Sequence, residues 1–252
     1  MDLDVERAFD ITIATDGTSL PPHALSAAMA DAVGISKVMR NQLGVVTDGV
    51  LEIRAVIVGS DDLFRAWAPT SPSASGVYLR EQRLIVVRAD AHPDRTMAVL
   101  RHEVTHALVH EWVGNLPRAV NEGMAEYFEA FGVSGMGGQV DLAPLRRQLG
   151  RGQPRGDVLH ELTRLVHSDH DEFYAGDKHA NYAGAMAFVA SLMRDAPGRK
   201  ALGTLLQAQR RTPCNSVYTL SILATEFDGG VDALGDRWLE ELEGRAPLIH
   251  TF

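Results

Sequence analysis

The sequence contains a single cysteine, Cys214, so no disulfide can form within the chain. It also lacks any apolar run near the roughly 20 residues that a membrane-spanning helix requires. Basic residues are the minority, with 24 Lys and Arg against 33 Asp and Glu, and the resulting charge of −9 argues against nucleic acid or an anionic membrane as a partner. Four of the first ten residues are acidic, where a secretory signal carries basic residues. We therefore expect a soluble cytoplasmic protein, unless an export sequence precedes this chain.

Two histidines stand four residues apart in the stretch HEVTH, which runs from His102 to His106. On an α-helix, side chains at this spacing lie on the same face, so both imidazoles can turn toward one metal ion. Glu103 lies about 100° around the helix, where it can hold a water molecule rather than the metal. Chance would produce this pattern only about 0.02 times in a chain of this composition, so we interpret it as a metal motif.

A third metal ligand is predicted at Glu122. Catalytic zinc sites usually combine three protein ligands with one water, so the histidine pair needs one more donor. Fifteen residues lie between His106 and Glu122, enough to end one helix, turn, and begin a second. Gly114 suits the residue after a helix, and Pro117 suits the first turn of the next one. Glu122 is then expected to project from the second helix toward the histidines.

Other polar residues near this motif have open roles. His110 continues the spacing of four, but it lies about 12 Å from His102 along a helix and is expected to pack or support rather than bind the metal. Glu126 follows Glu122 by one turn, and either accepts a hydrogen bond from a ligand histidine or is a solvated carboxylate. Asn121 is expected to be a turn or cap residue.

Two further stretches combine residue types that occur in functional elements. His167 and His170 are spaced HxxH near several acidic residues, which permits a second metal, although a polar loop is the simpler interpretation. The stretch GVSGMGG, from Gly132 to Gly138, is expected to form a mobile loop because glycine disfavours regular structure. Such a loop beside a metal cleft either acts as a lid or only connects its neighbours.

Hydrophobic periodicity predicts an α+β protein with a strand-rich N-terminal lobe, residues 1–113, and a helical lobe, residues 114–252. The metal helix is expected to begin near Asp94 and to bury the apolar residues Met97, Leu100, Val104, Leu108 and Trp112. Strands are predicted at 9–15, 51–58, 76–79 and 84–87, the last two forming a hairpin. Further helices are predicted at 23–43, 61–67, 142–149, 157–166, 181–193, 199–209, 217–227 and 232–242.

The two motifs HEVTH and NEGMAEYF resemble those of the gluzincin zinc metallopeptidases, in particular the bacterial peptidase-MA-like family, which shares its catalytic core with thermolysin. The resemblance extends in pattern over roughly residues 70–245. It implies a zincin-like fold with an active-site cleft between two lobes, and Zn²⁺ as cofactor. It further implies His102, His106 and Glu122 as zinc ligands, Glu103 as general base, and a peptide or protein as substrate.

The resemblance also implies an oxyanion donor and a substrate-binding strand. In related families a tyrosine roughly sixty residues after the glutamate ligand stabilises the oxyanion, and Tyr182 stands 60 residues after Glu122. His179 and Tyr174 are alternatives. Residues 75–79 occupy the place of the edge strand that binds extended substrate. The aminopeptidase branch carries Gly-x-Met-Glu-Asn there, whereas this chain has SGVYL, so an aminopeptidase is not predicted.

Two other functions share these residues. The chain can be a catalytically silent binding or regulatory module of zincin-like fold, or a metal-dependent hydrolase of a non-peptide amide or ester. The presence of Glu103 argues against the silent module, because a structural zinc site needs no base and usually has four protein ligands.

Overall fold

The structure is a computed structural model, and it describes residues 8–16, 20–69, 71, 73–135, 137–154, 156–175, 177–214 and 218–252. Its strands are β1 (Phe9–Thr15), β2 (Leu51–Val58), β3 (Gly76–Leu79), β4 (Leu84–Arg88), β5 (Phe131–Ser134), β6 (Gly137–Asp141) and β7 (Ile249–Thr251). Its helices are α1 (Pro22–Asn41), α2 (Asp61–Trp67), α3 (Pro93–Trp112), α4 (Arg118–Glu129), α5 (Arg146–Leu149), α6 (Val158–His167), α7 (His170–Tyr174), α8 (Lys178–Met193), α9 (Ala196–Arg211), α10 (Thr219–Glu226) and α11 (Gly230–Leu242).

The N-terminal sheet has four strands in the order β1-β2-β4-β3. The first three are parallel, and β3 runs antiparallel to β4 at the edge. The α+β class and the predicted hairpin are therefore confirmed. The Arg88 N–H donates to the Ser75 carbonyl at 2.8 Å, so Ser75 and Arg88 form a hydrogen-bonded pair. In an antiparallel ladder such pairs alternate with pairs that are not hydrogen-bonded. The backbone N–H and C=O groups of Gly76 and Tyr78 therefore point away from β4. These groups lie along the free edge of the sheet.

Helix α3 carries the HEVTH motif and begins at Pro93, one residue before the predicted start. Proline in the first turn lacks the N–H that would otherwise have no partner, and Asp94 beside it complements the helix dipole. The five apolar residues expected on its inner side, Met97, Leu100, Val104, Leu108 and Trp112, are all buried. Their burial against α1 and the sheet leaves the histidine face of α3 toward α4.

The turn after α3 and the packing of α4 fix where Glu122 lies. Gly114 adopts a left-handed conformation with φ of 108°, and α4 begins directly after Pro117, as the sequence predicts. Helix α4 packs so closely on α8 that a Cβ at Gly123 would collide with the Ala185 carbonyl. The glycine next to Glu122 thus allows the two backbones to approach.

The expectation of a mobile loop at Gly132–Gly138 is wrong. Strands β5 and β6 pair as a hairpin there, β7 joins them as a third strand, and position 136 lies outside the described residues. The glycines permit close contact instead of mobility: a Cβ at Gly138 would lie 2.5 Å from the Phe131 ring, and one at Gly137 would lie 2.7 Å from the Phe252 carbonyl oxygen. Strand β7 itself was not predicted.

The C-terminal part is helical, as expected, with shifted boundaries. The predicted helix 142–149 is broken into a 3-10 turn at 143–145, the short α5 and a second 3-10 turn at 150–152. The predicted helix 217–227 corresponds to α10, and position 217 lies outside the described residues. A hydrophobic core runs from Phe9 to Leu242 across both parts, and the division at residue 113 stays a prediction. None of the described helices is long and apolar enough to span a membrane.

Candidate metal centre

Helices α3 and α4 bring the three predicted ligands together. The Nε2 atoms of His102 and His106 lie 3.0 Å apart. The Oε2 atom of Glu122 lies 3.7 Å from the first and 3.6 Å from the second. Glu122 is buried, and both histidines are largely buried at the floor of a cleft. These donors form one of the groups in the described residues that can hold a metal ion.

The spacing of these donors suits zinc. A triangle with sides of 3.0, 3.6 and 3.7 Å contains a point about 2.0 Å from every corner, which is the usual zinc–nitrogen and zinc–oxygen bond length. Two imidazoles and one carboxylate are also a donor set of catalytic zinc sites, in which the fourth position belongs to water. The residues therefore fit the ion that the sequence predicts.

Partners on the far side of each ring orient the two histidines. The Nδ1–H of His102 donates to Oε1 of Glu129 at 2.7 Å, and the Nδ1–H of His106 donates to Oδ1 of Asn121 at 3.3 Å. With Nδ1 carrying the hydrogen, each Nε2 can offer its lone pair to the centre of the donor triangle. Burial lowers the pKa of His102, but the hydrogen bond and charge of Glu129 outweigh it and raise that pKa to about 10, so a cation that binds Nε2 has to displace a proton.

The sequence pointed to Glu126 as one candidate for this orienting role, and the structure gives the role to Glu129. Oε1 of Glu126 lies 3.9 Å from Nδ1 of His102, and its other oxygen accepts a hydrogen bond from Gln148 at 3.0 Å. Burial, reinforced by the charge of Glu129, raises the pKa of Glu126 to about 7. Asn121, expected to be only a turn or cap residue, instead lies inside α4 and orients His106.

The second oxygen of Glu122 is held away from the histidines. Its Oε1 accepts hydrogen bonds from the Tyr174 hydroxyl at 2.9 Å and from Nη1 of Arg118 at 3.3 Å. Burial raises the pKa of this carboxyl, but its interactions with His106, His102 and Tyr174 lower it to about 2. Glu122 is therefore ionised and presents Oε2 to the donor triangle.

Glu103 lies beside the donors and against the edge strand. It is buried, and a Cβ at Gly76 of β3 would lie 2.8 Å from its Cγ and 3.0 Å from its Oε1. Burial raises the pKa of Glu103, and the two histidines partly oppose that rise. Only glycine at position 76 leaves room for this carboxylate beneath the free edge of the sheet.

The oxyanion candidates occupy different places. Tyr174 and Tyr182 both line the cleft, and their ring centroids lie 6.2 Å apart. The Tyr174 hydroxyl is already engaged with Glu122, and burial raises the pKa of both phenols. His179 is exposed and is not among the cleft residues. Tyr182 stays the prediction for the donor, while Tyr174 supports a ligand.

The cleft above the donors has a volume of about 580 Å³ and a mostly polar lining. Tyr78 and His110 form part of the wall between β3 and α3. The Tyr78 hydroxyl donates to Glu111 at 2.9 Å, and Glu111 also pairs with Arg83 at 2.9 Å. His110 lines the cleft without joining the donor group, which matches the expectation for it.

Three residues that contact the predicted ligands were not predicted in this role: Glu129, Asn121 and Arg118. Glu129 follows Glu122 by seven residues, two helical turns, and this spacing is the signal that could have identified it. Arg118 precedes Glu122 by one turn and could have been found in the same way. Asn121 has no such signal, because its partner lies on another helix. The HxxH pair, His167 and His170, joins none of the potential metal groups among the described residues.

No protein-family model matches this chain, and no curated protein matches its sequence.

Proposed function

We propose that this protein is a zinc-dependent metallopeptidase of gluzincin type. The observation that carries the proposal is the convergence of two Nε2 atoms and one carboxylate oxygen within 3.7 Å of one another, beside the buried Glu103. Lone pairs that face each other at such distances repel unless a cation or a proton lies between them. Zinc bound there supplies a water of lowered pKa and a Lewis acid for the scissile carbonyl.

The residues of the chain account for the remaining steps. Glu103 takes the proton from the attacking water and delivers it to the leaving amine, which is general base and then general acid catalysis. Its contact with Gly76 holds the carboxylate beside the place where an extended substrate would run. Tyr182 is proposed to donate a hydrogen bond to the oxyanion, a contribution typically worth about 3 kcal/mol for one such donor.

The free edge of β3 supports a peptide as the substrate. The outward backbone groups of Gly76 and Tyr78 can form a short ladder with an extended peptide in the cleft. Gly76 adjoins Glu103, so the peptide bond aligned with this part of the strand lies next to the base. An endopeptidase is therefore favoured over a hydrolase of small esters, which would make no use of the strand.

The test combines metal content with cleavage. We expect mass spectrometry to find one zinc per chain in the wild type and in Glu103→Gln, and we expect only the wild type to cleave a broad peptide library. Loss of the general base should lower kcat/KM by about 10³-fold. If both proteins hold zinc and neither cleaves a peptide, the proposal is wrong and a silent binding module replaces it. Turnover restricted to small amides or esters would identify the non-peptide hydrolase.

A further inference from the structure

Two arginines line the cleft, and only one of them, Arg118, pairs with a carboxylate among the described residues. Arg118 donates to the carboxylate of Glu122 at 3.3 Å and its guanidinium lies over the Tyr174 ring at 5.6 Å. Arg80 donates instead to the amide oxygen of Asn115 at 3.3 Å, which is a neutral group. Among the described residues no carboxylate forms an ion pair with Arg80. Arg80 is therefore a cation of the cleft without an anionic partner in the part of the chain that the structure describes.

Arg80 begins the 3-10 turn Arg80–Gln82, which follows directly after the edge strand, and it lines the cleft together with residues of α3. Gly76 and Tyr78 share the face of β3 that contacts α3. Gly76 marks the position of Glu103, and Arg80 lies four residues further, about 13 Å along an extended chain. The charge also acts on the cleft wall, because burial and then the Arg80 cation lower the pKa of His110.

The hydrogen bond between Arg80 and Asn115 joins two elements that both line the cleft. Arg80 follows β3, whereas Asn115 belongs to the turn between α3 and α4. This turn is anchored, since the Asn115 N–H donates to the Pro213 carbonyl at 3.1 Å. Arg80 itself is exposed, so its guanidinium at the cleft is accessible to a ligand.

We propose that Arg80 is a specificity-determining residue, which binds a carboxylate of the substrate two to four residues from the scissile bond. This inference rests on the proposed peptidase function. A guanidinium binds a carboxylate through two parallel hydrogen bonds, which a neutral amide oxygen cannot offer. The net charge of −9 repels an acidic peptide at long range, and the Arg80 guanidinium opposes that repulsion locally at the cleft. The carboxylate belongs either to an Asp or Glu side chain or to the C-terminus of the peptide.

Cleavage of paired peptides by the zinc-loaded protein tests the proposal. One series carries Glu or Gln at each position up to four residues on either side of the cleaved bond, and a second series ends in a free acid or an amide. We expect kcat/KM to be about 10-fold higher for the carboxylate member of one pair. The series in which the preference appears identifies the source of the carboxylate. Arg80→Gln should abolish the preference, and Arg80→Glu should transfer it to a Lys peptide.

A matched variant and a binding measurement separate the outcomes. Arg65→Gln removes the same charge from an exposed position of α2 outside the cleft, and it should keep the full preference. In the Glu103→Gln background, fluorescence anisotropy should give a Kd about 10-fold lower for the acid peptide than for its amide twin, and Arg80→Gln should equalise the two values.

The contradicting results are equally distinct. If the wild type cleaves peptides but treats every pair alike, or if Arg80→Gln keeps the preference, the role of Arg80 is wrong and the peptidase proposal stands. If the wild type cleaves no peptide at all, the peptidase proposal and the substrate preference fail together.

Discussion

Two clusters of buried ionisable groups meet helix α4, and only one of them has the geometry of a reaction centre. The cleft cluster consists of His102, His106, Glu122 and Glu129. The C-terminal cluster consists of Tyr127, Arg194, Glu241 and His250. Helix α4 contributes to both, through Glu122 to the first and through Tyr127 to the second.

The groups of the C-terminal cluster pair with each other through one atom each, while Nε2 of His250 and Oε2 of Glu241 are buried without a hydrogen-bond partner among the described residues. The Tyr127 hydroxyl donates to Nδ1 of His250 at 2.7 Å, and Nε of Arg194 donates to Glu241 at 3.3 Å. In the cleft cluster the outer atoms are paired in the same way, but three inner atoms point at a common centre. Buried charge alone therefore does not identify the site, because both clusters have it. The convergence of three donor atoms from separate side chains on one point does.

The largest contrast should come from removing one carboxylate charge in each cluster. Glu122→Gln weakens the donor triangle, so we expect zinc affinity and kcat/KM each to fall by about 10³-fold. Glu241→Gln changes an equally buried carboxyl that lies outside the cleft, and it should leave both quantities within about threefold of the wild type. Chelator competition and peptide cleavage measure the two effects. Equal losses in both variants would remove the distinction between the clusters.

The C-terminal cluster should affect the pH dependence of stability instead. Burial lowers the pKa of His250 to about 4 in spite of the opposing effect of the Pro247 backbone. The neutral imidazole therefore stabilises the fold fully above pH 6.5, and this contribution to the free energy of unfolding is lost as the pH falls toward 4. Burial raises the pKa of Glu241 to about 7 against the opposing charge of Arg194. The protonated carboxyl therefore stabilises the fold fully below pH 4.5, and this contribution to the free energy of unfolding is lost as the pH rises toward 7.

Two variants should separate these opposing slopes. Relative to the wild type, His250→Asn should gain up to about 3 kcal/mol in free energy of unfolding as the pH falls from 6.5 to 4, whereas Glu241→Gln should gain a similar amount as the pH rises from 4.5 to 7. Urea unfolding at each pH measures both, and the difference from the wild type cancels the cleft cluster. Parallel profiles for the three proteins would contradict the assignment.

A smaller effect should distinguish two acids within the cleft region. Glu129→Ala removes the acceptor that orients His102, and loss of such a partner typically weakens metal binding by about 10- to 100-fold. Glu126→Ala removes a carboxylate 3.9 Å from the same ring nitrogen, so zinc affinity should change by no more than about threefold. Zinc titration against a chelator measures both. A reversed order would mean that Glu126 moves to orient the histidine once zinc binds.

The smallest expected effect concerns the edge strand. Gly76→Ala places a Cβ against Glu103 and Val99, so the base must move, and kcat should fall by about 10-fold while zinc affinity is unchanged. Gly132→Ala is the matched control, because a Cβ there meets no atom of the described residues within 4 Å. Steady-state kinetics and zinc titration of both variants measure the effect. An unchanged kcat in Gly76→Ala would show that the position of Glu103 does not depend on the strand.

Sequence predicts correctly those features that depend on residues close together in the chain, and it fails where distant elements meet. The pairing of His102 with His106 needs only helical geometry, and the turn at Gly114 needs only the conformational preference of glycine. The spacing of seven residues places Glu129 on the same face of α4 as Glu122, but its contact with His102, like that of Asn121 with His106, depends on how α4 crosses α3. The prediction of a mobile loop at 132–138 is wrong because Gly137 and Gly138 contact Phe252 and Phe131, and the sequence does not show these contacts.

The sequence by itself determined the α+β class, the helix that carries His102, Glu103 and His106, and the apolar face that buries this helix. These features depend on periodicity and on preferences within a few residues. Only the tertiary structure decided that Glu122 meets the histidines at 3.6 and 3.7 Å, that Glu129 rather than Glu126 orients His102, and that Arg80 lines the cleft. Those outcomes depend on the crossing of packed helices and on the edge of a sheet, where a displacement of about 1 Å changes which atoms meet.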